Sequence, residues 1–167
     1  MPSASGLGPG QRLRARDRAV QAAMLALHHA PLHYSQEATP RWEGIKKQLN
    51  SRIGKYPKVA DCSSFVTWCL WNALHLQFGL GDIVNGSGWN GGYTGTMLSH
   101  GLPVQYATNL LRGDCVHYGS GLTAHVAMVV TKPGGGVPRV ASWGSEGGPR
   151  LTDYNYRTDN IHFRRYI

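Results

Sequence analysis

Acid is scarce in this chain. Nine Asp and Glu stand against 17 Lys and Arg, leaving a formal charge of +8, which favours an anionic partner without naming it. The charge is spread, with no basic block longer than the Arg12, Arg14, Arg16, Arg18 series. No zinc-finger spacing, aromatic ribonucleoprotein motif or basic region leading into heptads is present, so no specific nucleic acid is expected. A bacterial wall, with its carboxylates and phosphate-bearing polymers, is the other anionic candidate. Cysteine is also sparse: Cys62, Cys69 and Cys115 are too few and too odd in number for a disulfide framework, and fit a reduced compartment with at most one reactive thiol. Neither a C-x-x-C nor an H-E-x-x-H pair occurs, and the histidines of "LHHAPLH" lack a matching Cys/His cluster, so neither a metal nor any other cofactor is expected. No apolar run approaches the roughly 18 to 20 residues of a membrane helix, which predicts a soluble protein without membrane insertion. The small and basic N-terminus has no apolar stretch after it, so it does not read as a secretory signal, and exit from a cell is expected by another route.

What remains fits one domain and a small monomer, since 167 residues suffice for a real core. The Ser/Gly/Pro-rich start predicts a loose arm over residues 1–16 and a folded domain over 17–167. From Asp17 the spacing of Val20, Met24, Leu25 and Leu27 predicts a helix buried on that face and ended by Pro31. A second helix is expected over "RWEGIKKQLNSRI", and the strongest over Asp61 to about Gln77. Residues 79–92 read as a loop, with turns at Asn85-Gly86 and Asn90-Gly91, before a short helix in "TGTMLSHG". After Gly113 the stretches "DCVHYG", "AHVAMVV", "VPRVASW" and "IHFRRYI" are rich in β-branched and aromatic residues. Helices first and strands afterwards predict an α+β fold with an antiparallel sheet.

The chemistry gathers at "VADCSSFVTWCLWNAL". Asp61 is a good N-cap, which puts Cys62 at the first helical position, where free N–H groups and the macrodipole favour a thiolate. Phe65, Val66, Cys69, Leu70 and Ala73 are spaced to bury one face, and Cys69 reads as core. A nucleophile needs a base. His125 opens the most strand-like run and is the best of the eight histidines for that task.

"DCSSFV", "GDCVHY" and "HVAMVV" together resemble the motifs of the NlpC-type cell-wall peptidases, papain-like enzymes in which the Cys opens a helix packed on an antiparallel sheet. "HYSQ", "RWEGI", "GYTGTM" and "SWGSEGGP" resemble, more closely, the peptidase domain of endolysins from phages of actinobacteria. The resemblance runs from about Asp17 to Ile167. It implies Cys62 as nucleophile and His125 as base. The third position departs from the family's usual His, Asn or Gln: the matching place is Ser142, and Glu146, which carries a charge, is preferred to it. Tyr34 is implied as an oxyanion helper beside the Cys62 N–H, although a half-buried aromatic serves equally as a reading. Asp61 and Ser63 flank the thiol, and Trp42, Trp89 and Tyr93 are expected along a substrate groove. Trp143 reads equally as core.

The function so implied is hydrolysis of an amide bond in the peptidoglycan stem through an acyl-enzyme, with anionic wall polymers held by charge. The location implied is the host cytoplasm before release to the wall. An N-acetylmuramoyl-L-alanine amidase with the same triad, a non-catalytic wall-binding module and a basic nucleic-acid-binding domain stand as rivals.

Overall fold

The computed structural model describes residues 6–45, 55–131, 134, 136–145 and 147–167. Its first helix, α1, spans Pro9–His28 and so begins inside the stretch expected to be an arm. Pro9 lies in the first turn, where its missing N–H costs nothing, and the Gln11 side chain accepts from the Gly8 N–H at 2.9 Å. Gly8, Pro9 and Gly10 thus form a helix start. The buried face also differs from expectation. Ala15, Ala19, Ala22, Ala23 and Ala26 face inward, Met24 is exposed, and Val20 and Leu27 are only half-buried. Alanines at these spacings let α1 lie close against the next helix, which larger side chains would hold off.

That next helix, α2, covers Cys62–Trp71 and runs into a π-helical turn over Asn72–Leu76. Every residue from Cys62 to Leu70 is buried. A helix buried on all sides needs cover on all sides, and α2 has it from α1 and from the sheet. Upstream, β1 (His33–Tyr34) pairs in parallel with β2 (Val59–Ala60), and a π-helical turn covers Thr39–Glu43. Most of the helix expected over "RWEGIKKQLNSRI" lies outside the described residues. A short α3 occupies Thr94–Ser99, within "TGTMLSHG".

The sheet is antiparallel throughout, in the order β3-β8-β4-β5-β6-β7. Its strands are β3 (Leu102–Val104), β4 (Cys115–Tyr118), β5 (His125–Thr131), β6 (Arg139–Gly144), β7 (Gly148–Asp153) and β8 (His162–Arg165). The four strands legible in the sequence, β8, β4, β5 and β6, form the centre. The two that were not, β3 and β7, are the edges, and each contains a proline, Pro103 and Pro149. Proline cannot donate to a ladder on both sides, so it is tolerated at an edge and hides the strand from pattern reading. Among the described residues no helix is long and apolar enough to cross a membrane.

Asp114 ties the C-terminus to this frame. Its fully buried carboxylate accepts from Arg165 at 2.9 and 2.6 Å, from Arg16 of α1 at 3.2 Å and from the Leu111 N–H at 2.8 Å. Arg16 also donates to the Ile167 carbonyl. Removing one member of a buried ionic cluster strands the others. Asp114→Asn, which keeps the shape and deletes the charge, is expected to lower unfolding free energy by about 3 kcal/mol in urea titration. Unchanged stability would show that the two arginines do not depend on it.

Candidate active site

The site begins with a helix cap. Asp61 accepts the Ser64 N–H at 2.8 Å, and the Ser64 hydroxyl accepts the Asp61 N–H at 3.0 Å, which closes a reciprocal box at the start of α2. The other oxygen of the same carboxylate takes Arg41 at 2.7 Å. Arg41 also donates to the Gly92 carbonyl at 3.0 Å, and Ser63 donates to that carbonyl at 2.9 Å. Gly92 comes this close because it has no side chain: a Cβ there would stand 2.5 Å from the Ser63 carbonyl oxygen. Cap, π-helical turn and loop thus meet at one buried cluster.

The loop that delivers Gly92 is itself organised by Asp82. Its carboxylate accepts the N–H groups of Val84, Asn85, Ser87 and Trp89 at 2.8 to 3.0 Å. Burial opposes the charge, but the four N–H groups outweigh it and hold the carboxyl below its ordinary range. Asn85 then links this loop to Thr67 of α2 at 3.0 Å and to Thr96 of α3 at 2.8 Å.

Cys62 follows the cap. Burial, and after it the Asp61 carboxylate, push the thiol up to about 12, against the smaller downward pull of the nearby Val126, Ser63 and Cys62 N–H groups. The macrodipole argument from sequence therefore loses to desolvation. The contact with Val126 places the sulfur at the start of β5, next in the chain to His125. There the sheet opens: β5 pairs with β6 from Met128 opposite Ala141 to Thr131 opposite Arg139, beyond His125, Val126 and Ala127. A side-chain bond bridges the opening, with His125 Nε2 2.7 Å from the Ser142 hydroxyl. Ser142 is in turn 3.2 Å from the Tyr156 hydroxyl.

Several expected residues converge here and others do not. Tyr34 is close enough to feel Cys62 and Asp61: burial first, then their charges, raise its phenol above the ordinary value. Asp61 and Ser63 are buried and engaged in the cluster above, so they shape the site from beneath. Trp42 and Trp89 are corrections, since they are 5% and 4% exposed and sit in the core, with the Trp89 indole donating to the Leu80 carbonyl at 3.0 Å. Neither lines an open groove, whereas Tyr93 is 63% exposed and free to do so. Trp143 is core. Glu146 lies outside the described residues. Sequence reading missed Arg41 and Tyr156. A buried Asp61 calls for a cation, which was a signal for the first; Tyr156 had none, because it follows an unrecognised edge strand.

Among the described residues no three His, Cys, Asp or Glu side chains are grouped to hold a metal ion. The arrangement holds Cys62 as a neutral thiol, whose use as a nucleophile requires a base. With the thiol near 12, only about one part in 10^5 is ionised at pH 7. Iodoacetamide labelling of Cys62, read by mass spectrometry with the deeper Cys69 and Cys115 as internal controls, is expected to accelerate roughly tenfold per pH unit from neutral to alkaline pH. A rate already level between about pH 6 and 8 would show an imidazolium–thiolate pair in the resting protein.

No family model and no curated protein matches the chain. Solved structures do. NlpC2 from Trichomonas vaginalis aligns with a TM-score of 0.54 at 18% identity, over 89% of this chain and 47% of that one. NlpC1 from the same organism aligns at 0.55 and 16%, over 89% of this chain and 44% of that one. The chain thus spans less than half the length of either. At this identity the likeness concerns architecture, and the chain has the mixed α+β, papain-like fold of these NlpC proteins.

Proposed function

We propose that the chain is a thiol hydrolase that cleaves an amide bond of the peptidoglycan stem peptide, of the kind carried by phage endolysins. The observation that carries the reading is the buried Cys62 at a helix start, close enough to Val126 to feel its N–H, with the preceding residue, His125, holding its Nε2 2.7 Å from Ser142. The fold shared with NlpC proteins and the motifs "DCSSFV" and "HVAMVV" support it further. The surplus of positive charge supports retention on anionic wall polymers, weakened by salt.

In this reading His125 takes the thiol proton as the sulfur attacks the substrate carbonyl. The Cys62 N–H and the Tyr34 hydroxyl stabilise the oxyanion. His125 returns its proton to the leaving amine, leaving a thioester. A water activated by His125 then attacks the thioester, releasing the acid and restoring the thiol. Because the resting thiol is buried and neutral, substrate entry and proton transfer are coupled.

Purified actinobacterial wall incubated with wild type and with Cys62→Ala, followed by mass spectrometry of released fragments, tests the proposal. New amino termini within the stem are expected from the wild type, and Cys62→Ala is expected to lose at least about 10^3-fold in rate. Free lactyl-ended glycan would reassign the bond to an amidase. Equal release by the two proteins would remove Cys62 from the chemistry, and no release by either would overturn the hydrolase reading.

A further inference from the structure

Behind His125 the structure holds more than one polar group. Ser142 is 1% exposed, and its hydroxyl lies between His125 Nε2 at 2.7 Å and the Tyr156 hydroxyl at 3.2 Å. Tyr156 is held in place from two sides. Arg150, opposite Ser142 in the β6–β7 ladder, stands 5.2 Å over its ring, and Tyr118 meets it edge-on at 5.2 Å. Tyr118 also faces His125 across β4 and β5, with ring centroids 6.0 Å apart.

A hydroxyl has one proton to donate. Within this chain of three groups, Ser142 either donates to Tyr156 and accepts from an Nε2–H, or donates to a bare Nε2. The first arrangement leaves the lone pair of His125 on Nδ1; the second leaves Nδ1 protonated. Only the first provides a base on the ring nitrogen that Ser142 does not occupy. It also suits the imidazolium, whose Nε2–H must donate. Half-buried Tyr156 can pass its own proton outward to solvent.

The geometry points to Tyr156 as a positioning residue: by accepting the Ser142 proton it fixes His125 as the Nε2–H tautomer, so that a neutral hydroxyl pair does the work expected of a His, Asn or Gln. The inference rests on the proposed role of His125 as base. It makes Ser142 competent as the third group without a charge of its own, since its acceptor character is imposed by the phenol behind it.

The test is Tyr156→Phe, which keeps the ring and its contacts, examined by 15N spectra of histidine-labelled free protein at a pH where His125 is neutral. Its resonances are assigned by difference against His125→Gln. The wild type is expected to show Nε2–H and Tyr156→Phe to move to Nδ1–H, as the stranded Ser142 proton turns to the ring. On wall substrate, kcat is expected to fall by about 100-fold, the lower end of a positioned base's contribution, with KM little changed. In a Ser142→Ala background the second substitution is expected to add almost nothing. Persistence of Nε2–H in Tyr156→Phe, or an equal effect of Tyr156→Phe with and without Ser142, would overturn the inference. The tautomer is read without substrate, so its failure is distinguishable from an absence of wall hydrolysis, which would overturn the hydrolase reading.

Discussion

The carboxylate of Asp61 is the point on which the site's geometry depends. One oxygen caps α2 through Ser64, and the other takes Arg41, which reaches on to the loop at Gly92. A side-chain cap contributes about 1 kcal/mol, and a buried ion pair adds little net stability once desolvation is counted. The value of the junction is therefore positional. It sets the first turn of α2, the turn that carries Arg41 and the loop that carries Tyr93 in one fixed relation, with the thiol on the next residue.

The same junction opposes the thiol's ionisation. A helix start offers the equivalent of roughly half a positive charge, and three nearby N–H groups favour the thiolate. Against them stand burial and a full negative charge on the adjacent residue, and the outcome is a thiol raised to about 12. A cap that holds Cys62 in place thus also keeps its thiol neutral. Thiolate formation becomes a step that needs a base, not a resting property of the helix end.

The order of helices and strands, the long buried helix after Asp61 and the central strands were legible because burial leaves a periodic record in sequence. The α1 face was not. Its inward residues are alanines, which carry little hydrophobic signal, while the larger Met24 is exposed. Strands β3 and β7 escaped because Pro103 and Pro149 interrupt the pattern that defines a strand. Within the site, Cys62, His125 and Tyr34 stood out through motif and setting. Trp42 and Trp89 were misassigned to a groove because size and aromaticity do not distinguish a core ring from a binding surface. Arg41 and Tyr156 act through contacts 20 and 14 residues away in the chain, a separation that carries no local signature.

Cys62 and His125 occupy the same kind of place: each is the first residue of its element. Backbone groups at such positions are not all consumed by their own helix or ladder. The sulfur lies close enough to feel the Val126 N–H, in the stretch where β5 has not yet joined β6. The opening has a second consequence. Past this point the start of β5 and the end of β6 share no paired main-chain register, and the Ser142 hydroxyl against the His125 ring links them instead. Orientation of the imidazole and closure of the sheet's open end are then one interaction.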